Sequence, residues 1–188
     1  MNVTSTRLLD VLILTPDRLT DARGFFSESW NRARMNDAGL SFDFVQDNHS
    51  FSPNSGTLRG LHYQSHPHAQ DKLVRCGKGA VFDVAVDIRG GSPTFGQWVG
   101  EILSFENARQ LLIPAGFLHG FVTLTDACEV IYKCTNHYAP DCEGSVVWDD
   151  PDIGINWPIT SPPILSDKDA AAPRLNDLSN PFQYEVPQ

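Results

Sequence analysis

The stretch AVFDVAVDI at residues 80–88 decides the class of fold. Its even-numbered residues are all apolar, whereas its odd-numbered residues include Asp83 and Asp87. A period of two places successive side chains on opposite faces of an extended chain, so the stretch predicts a β-strand. Residues 129–135 alternate in the same way and predict a second strand.

Further apolar segments of strand length lie on both sides of these two, separated by glycine- and proline-rich turns. Many short strands at even spacing indicate a β-sandwich or barrel. Two short helices are predicted at residues 28–38 and 167–171, and the segment after Pro158 is predicted to wrap around the body. The other predicted strands span residues 10–14, 42–48, 58–63, 73–75, 98–103, 109–113, 120–124 and 145–148.

The composition limits the number of domains and the classes of partner. A chain of 188 residues, 41% of them hydrophobic, favours a single domain over residues 1–188. Its 23 acidic and 14 basic residues give a net charge of −9, which argues against nucleic acid and membrane as partners. No apolar run approaches the roughly 20 residues of a membrane span. No signal peptide precedes the cysteines, which are predicted to be reduced thiols of a cytoplasmic protein, namely Cys76, Cys128, Cys134 and Cys142.

The segment from Pro114 to His119 has the form PxGxxH and lies between two predicted strands. It resembles the second signature of the cupin superfamily, whose fold is a double-stranded β-helix or jelly roll. The HxH of the first cupin signature corresponds to His62-Tyr63-Gln64, and its glutamate corresponds to Lys72. Because a lysine cannot join imidazoles and a carboxylate around a divalent cation, the pocket is expected to hold no metal and to suit a developing anion.

A more specific resemblance covers about residues 7–175. The matching blocks stand in the order and spacing of the dTDP-4-dehydrorhamnose 3,5-epimerase family. This resemblance implies an all-β, cupin-type double-stranded β-helix or jelly roll with a few short helices. The blocks are RGFF at 23–26 with Glu28, QDNHS at 46–50, LRGLHYQ at 58–64, KLVR at 72–75, FDVAVD at 82–87, SPTFG at 92–96, residues 114–121, YK at 132–133, YAP at 138–140, WDDP at 148–151 and LSDKD at 165–169.

The same resemblance implies a set of catalytic residues. Epimerisation beside a ketone needs a base, a group that stabilises the enolate oxygen and an acid on the far face of the sugar. By resemblance, His62 is the base and Asp169 is its carboxylate partner. Lys72 faces the C4 oxygen, and Tyr132 is the acid that returns the proton.

The resemblance also implies how the nucleotide is held. Arginine and lysine suit a diphosphate, amides and carboxylates suit thymine or ribose, and an aromatic ring stacks on the base. Arg59 and His62 have opposite strand parity, so both can face one pocket only if Gly60 marks a bulge or a twist. The implied substrate-binding residues are Arg23, Phe26, Glu28, Gln46, Asn48, Arg59, His119, Tyr138, Glu143 and Lys168.

The implied enzyme is a cofactor-independent homodimer that converts dTDP-4-dehydro-6-deoxyglucose for dTDP-rhamnose supply, with Arg23 and Glu28 serving the neighbouring subunit's pocket. Three alternatives stay open at this point. A relative could act at one carbon only or as a ketoisomerase, although Tyr132 with His62 and Asp169 favours the double epimerase. The others are a metal-dependent cupin and a non-catalytic nucleotide-sugar binder. Taken singly, each of these side chains also fits an ordinary buried or solvated residue.

Overall fold

Two packed β-sheets make up most of the structure. The structure, a computed structural model, describes residues 1–185. From edge to edge, the first sheet contains β1 (Asn2–Ser5), β2 (Leu12–Thr15), β10 (Gln110–Ile113), β7 (Lys72–Lys78), β12 (Cys128–Cys134) and β5 (Gln46–Ser52). The second contains β13 (Glu143–Ser145), β6 (Leu58–Gln64), β11 (Phe117–Thr123), β8 (Ala80–Asp87) and β9 (Trp98–Ser104).

The remaining elements are small and lie outside these sheets. β3 (Leu19–Asp21) and β4 (Gly24–Phe26) form a separate hairpin. The α-helices are α1 (Arg32–Asp37) and α2 (Asp167–Ala170), and Pro140–Cys142 and Leu175–Asp177 form 3₁₀ turns. The strands pair antiparallel within both sheets, which is the arrangement of a jelly roll. The predicted all-β jelly roll with a few short helices is therefore confirmed.

The stretch at residues 80–88 is buried on both of its faces. Val81 and Ala85 pack in the core between the sheets. Val84 and Val86 pack on the outer side, in a cluster that includes Phe182 from the C-terminal segment. The predicted wrapping of the segment after Pro158 is confirmed, because this segment covers the outer face of the second sheet.

A second cluster covers the outer face of the first sheet. Met35 of α1 packs there against Leu14, Leu73 and Leu112. The helix begins at Arg32 because the side chain of Asn31 caps it, accepting a hydrogen bond from the backbone N–H of Arg34 at 3.2 Å. The prediction of a helix from residue 28 is therefore wrong for its first turn.

Strand pairing moves several predicted boundaries. The predicted strand 42–48 is wrong at residues 42–45, because the ladder with β12 begins at Gln46 and extends to Ser52. The prediction of a strand at 145–148 is wrong after Ser145, where pairing with His62 ends. The exposed strands β1, β3 and β4 show no apolar alternation and were not predicted.

One domain over residues 1–188 stays a prediction, and residues 186–188 lie outside the described part.

The irregularity expected at Gly60, a bulge or a twist, is a bulge. His119 of β11 pairs with His62, and Phe121 pairs with Arg59, so β6 spans three residues where β11 spans two. Gly60 has φ of 125°, and a Cβ on it would lie 2.6 Å from the Cα of Gly120. Glycine at this position permits both the backbone conformation and the close strand approach.

Candidate active site

A cavity of about 490 Å³ opens between the sheets beside the bulge. We call it the main cavity. Because the bulge changes the parity of β6, Arg59 and His62 both face it. Its lining residues come from strands of both sheets and from the C-terminal segment: Ser50, Thr57, Leu58, Arg59, His62, Lys72, His119, Phe121, Tyr132, Ile164, Leu165, Ser166, Lys168 and Asp169.

His62 and Asp169 form a hydrogen-bonded pair in this cavity, with Nε2 of His62 2.6 Å from Oδ1 of Asp169. Ser166 caps α2 by accepting a hydrogen bond from the backbone N–H of Asp169 at 3.2 Å, which fixes the start of the helix that carries the carboxylate. Burial lowers the pKa of His62, while the hydrogen bond and the charge of Asp169 oppose that shift. The imidazole is thus neutral near pH 7, with Nδ1 as the nitrogen free to accept a proton.

Lys72 brings a cation to the centre of the site. It lines the main cavity beside His62, and within residues 1–185 its ammonium has no ion pair. Burial lowers the pKa of Lys72, and nearby Cys134, Asp83 and Glu143 act in the opposite direction. An ammonium without a fixed partner keeps its hydrogen-bond donors available for a ligand oxygen.

Tyr132 enters the main cavity from β12, in the sheet opposite to that of His62. Burial raises the pKa of its phenol, so the hydroxyl is protonated at neutral pH. Its ring meets that of His119 edge-on, with centroids 6.4 Å apart. The site therefore contains a neutral base on one sheet and a protonated acid on the other.

His119 has a carboxylate partner that the sequence interpretation did not assign. Nε2 of His119 lies 2.8 Å from Oδ1 of Asp83, which is fully buried on β8. The sequence did contain a sign of this pair. Asp83 shares a strand face with Val81 and Ala85, which face the core, and a buried aspartate needs a hydrogen-bond partner. Asp83 fixes the orientation of the imidazole at the cavity wall.

A smaller cavity of about 250 Å³ adjoins the main cavity and shares His62, Lys72 and Tyr132 with it. We call it the side cavity, and the two together the cleft. Among the predicted nucleotide-binding residues, Gln46, Asn48, Tyr138 and Glu143 line the side cavity. The cleft thus brings these polar residues next to the three shared side chains.

Hydrogen bonds hold the rim of the side cavity in place. Oε1 of Gln46 accepts the backbone N–H of Tyr138 at 2.9 Å, and the hydroxyl of Tyr138 donates to Glu143 at 3.0 Å. Lys168 forms an ion pair with the same carboxylate at 2.5 Å. Although β12 ends at Cys134, before Tyr138, the loop returns this tyrosine to the cleft.

The structure does not bring Arg23, Phe26 and Glu28 to this cleft. Arg23 is exposed and paired with Asp21 in the β3–β4 hairpin, and Phe26 is 69% exposed. Glu28 forms an ion pair with Arg34 at 3.2 Å. Within one chain, these three predicted binding residues are separate from the other predicted site residues.

Three further features concern metal ligands, cysteines and helix length in the described part. Within residues 1–185, no three His, Cys, Asp or Glu side chains are grouped so that they could hold a metal ion. The four cysteines carry free thiols. Among the described helices, none has the length and apolar character needed to cross a membrane.

Comparisons with known proteins point to one class. The chain is 58% identical over 177 residues to the dTDP-4-dehydrorhamnose 3,5-epimerase of Salmonella typhimurium, covering 94% of this chain and 96% of that protein. The crystal structure of dTDP-6-deoxy-D-glucose-3,5-epimerase from Legionella pneumophila Philadelphia 1, in complex with dTDP-4-keto-L-rhamnose, superposes with a TM-score of 0.95 at 48% identity. That match covers 98% of this chain and 99% of the other. A 3′-monoepimerase from Streptomyces bikiniensis, in complex with dTDP-quinovose, gives a TM-score of 0.86 at 38% identity, covering 92% and 87% of the two chains.

Fold, cleft and relatives together define the chain as a jelly-roll sugar epimerase. The family model described as dTDP-4-dehydrorhamnose 3,5-epimerase matches residues 5–177. The chain therefore belongs to the dTDP-4-dehydrorhamnose 3,5-epimerase family.

Proposed function

We propose that this protein is a cofactor-independent isomerase that converts dTDP-4-dehydro-6-deoxy-α-D-glucose to dTDP-4-dehydro-β-L-rhamnose. The Salmonella relative is named for this epimerase activity. The observation that carries the proposal is the convergence of His62, Lys72, Tyr132 and Asp169 on one cavity. These groups supply the base, the anion-stabilising cation and the acid that a ketone-directed epimerisation requires.

The reaction begins with His62. Its unbonded ring nitrogen takes the proton from the carbon beside the C4 ketone, and Asp169 stabilises the imidazolium that forms. The electron pair of the broken C–H bond moves into the enolate, whose charge rests on the C4 oxygen. Burial favours this step because it keeps His62 neutral and ready to accept a proton.

Lys72 and Tyr132 complete the step. The ammonium of Lys72 stabilises the enolate oxygen in a site where the charge is weakly screened. Tyr132 donates a proton from the opposite face, which inverts the carbon. His62 then releases its proton to solvent and Tyr132 takes one from solvent, so that both groups are ready for the next carbon. Two such cycles, one at C3 and one at C5, give the product without net gain or loss of protons.

The cleft also supports the nucleotide assignment. Arg59 and Lys168 line the main cavity and provide cations for the diphosphate, whereas Gln46, Asn48 and Tyr138 of the side cavity provide amides and an aromatic ring for thymidine. Glu143 contacts both Lys168 and Tyr138, and so connects the residues proposed for the diphosphate with those proposed for thymidine.

A homodimer is part of the proposal, because three predicted binding residues lie away from the chain's own cleft. Phe25 is held against its own chain by Phe105, with ring centroids 5.7 Å apart, while Phe26 projects into solvent. An exposed hairpin that carries Leu19, Phe26 and Arg23 is suited to cover the cleft of a second copy. Glu28 follows the hairpin and would accompany it. The proposed setting is the cytoplasm, with dTDP-rhamnose supplied for cell-surface polysaccharide such as O-antigen.

Action at a single carbon is the second candidate, because a 3′-monoepimerase shares this fold at 38% identity. Incubation of the protein with dTDP-4-dehydro-6-deoxyglucose in deuterated water, followed by NMR of the product, separates the possibilities. The proposal expects deuterium with inversion at both C3 and C5. Label at one carbon would establish the single-carbon activity, and binding without label would reduce the protein to a nucleotide-sugar binder.

A further inference from the structure

Gln64 is a buried side chain at the end of β6 that has no part in the proposed reaction. It stands where the first cupin signature has its second histidine, and it is 5% exposed at the wall of the side cavity. Its Nε2 donates to the backbone carbonyls of His68 at 2.6 Å and His137 at 3.1 Å, and its Oε1 accepts the backbone N–H of Ala139 at 3.0 Å. Carbonyls only accept and an N–H only donates, so these partners fix the orientation of the amide.

The contacts of Gln64 flank Tyr138, the aromatic residue proposed to bind thymidine. Gln64 binds the His137 carbonyl of the peptide bond that precedes Tyr138. Oε1 of Gln46 accepts the N–H of the same peptide bond at 2.9 Å. Gln64 also holds the peptide bond that follows Tyr138, through the N–H of Ala139. Because each peptide unit is planar, fixing both units limits the backbone dihedrals of Tyr138 and sets the direction of its side chain.

The ring of Tyr138 depends on this support from its own backbone. The residue lies in the loop after β12 and is 57% exposed. Within the described residues, the hydrogen bond of its hydroxyl to Glu143 at 3.0 Å is the only one that its side chain makes. A ring that has to be ordered when a ligand binds lowers the affinity, whereas a ring that is already in place does not.

We propose that Gln64 is a positioning residue that presents the ring of Tyr138 to the base of the nucleotide. The inference rests on the proposed function, because it takes the ligand to be a thymidine nucleotide stacked on Tyr138. Gln64 acts through the loop, since both amide hydrogens already bind backbone carbonyls. In place of a second histidine, the first cupin signature of this chain therefore carries a support for the nucleotide-binding loop.

A double-mutant cycle, measured by titration calorimetry with dTDP, tests the proposal. Tyr138→Ala should weaken binding by about 10- to 100-fold, as is usual when a ring that stacks on a base is removed. Gln64→Met removes the amide at nearly constant length and should weaken binding by about 3- to 30-fold. Added to Tyr138→Ala, the same change should weaken binding by less than about 2-fold, because no ring is left to position.

Turnover gives a second readout. Stacking on the base stabilises the bound substrate and the transition state equally, so Gln64→Met should raise KM and leave kcat within about 2-fold of the parent value. General damage to β6, which also carries His62, would lower kcat. Gln97→Met is the control, because Gln97 is an exposed glutamine that lines neither cavity of the cleft. This control should bind dTDP and turn over substrate as the parent does.

Three results would each overturn the positioning role: parent-like dTDP affinity in Gln64→Met, fully multiplicative effects of the two changes, or a large fall in kcat. Parent-like affinity in Tyr138→Ala would remove the stacking ring and the role together. Failure of the parent chain to bind dTDP overturns the proposed function itself. If a melting curve shows that Gln64→Met is unfolded, Gln64→Glu is used. Its ionised carboxylate can accept from Ala139 but cannot donate to His137, so the same loss is expected.

Discussion

Nε2 of His62 lies 2.6 Å from Oδ1 of Asp169, although 107 residues separate the two in the chain. The contact joins the bulged strand of one sheet to a short helix of the C-terminal segment. Burial lowers the pKa of His62, whereas the hydrogen bond and charge of Asp169 raise it. Two further charged groups act on the same pKa, because Lys72 lowers it and Glu143 raises it.

Asp169→Asn should shift the acid limb of kcat/KM to lower pH. The limb marks the pKa of the free base, which in the parent lies below the ordinary 6.5. Removing the carboxylate removes the influence that raises this pKa, so it falls further. The plateau should also fall, but by less than the roughly 10²–10⁴-fold expected when the base itself is lost in His62→Ala.

Asp167→Asn is the control for this pH shift, because Asp167 is an exposed residue in the first turn of the same helix. Its pH–rate profile should match that of the parent. An acid limb that stays in place in Asp169→Asn would remove the carboxylate from the proposed mechanism.

Lys72→Met should slow solvent deuterium exchange at C3 and C5 by about 10²–10³-fold, as is usual when a preorganised stabiliser of an oxyanion is lost. Methionine retains an unbranched side chain without the charge. Lys78→Met is the matched change at the exposed end of the same strand and should leave exchange unaltered. Exchange at the parent rate in Lys72→Met would show that a group other than Lys72 stabilises the charge on the enolate oxygen.

Tyr132→Phe should separate proton removal from inversion. Phenylalanine keeps the edge-on contact with His119 and deletes the phenolic proton. His62 can still form the enolate and return a proton to the same face, so we expect partial exchange with retention of configuration. NMR of the products reads both the label and the stereochemistry.

Tyr184→Phe provides the comparison for Tyr132, because the ring of Tyr184 contacts Arg89 and does not line the cleft. That variant should invert both carbons normally. Full inversion at the parent rate in Tyr132→Phe would exclude the phenol as the acid.

Gly60→Ala should lower the free energy of unfolding by about 2–5 kcal/mol. The new Cβ meets backbone of β11 at 2.6 Å, and φ of 125° disfavours a side chain. Gly91→Ala isolates the conformational part, because Gly91 has φ of 79° and open space, and should lose about 1–2 kcal/mol. Urea unfolding of both variants gives the difference, and equal losses would argue against a requirement for close strand approach at the bulge.

The sequence predicted local features well where periodicity or backbone geometry decides them. The alternation at residues 80–88 predicts a strand from the fixed period of a β-strand. With Arg59 and His62 both assigned to the pocket by family resemblance, the same period predicts a bulge or a twist at Gly60, and the structure has the bulge.

Long-range partners could not be deduced from the residues alone. Asp169 was assigned to His62 only by family resemblance, and Asp83 was not assigned to His119. The docking of α2 beside β6 and the pairing of β8 with β11 bring these residues together, and no local sequence pattern reveals either contact. The β3–β4 hairpin was missed because its strands are exposed and therefore carry no apolar alternation. The partner of the exposed Phe26 could not be predicted either, because no described residue of the same chain buries this side chain.

The position of Asp169 in the C-terminal segment also bears on the chain's synthesis. Strands with His62, Lys72 and Tyr132 leave the ribosome well before the helix that caps at Ser166. The base therefore gains its carboxylate partner from one of the last elements of the chain to be synthesised. The same late segment also buries Val84 and Val86 of the second sheet, so completing the base and covering that sheet depend on the same stretch of chain.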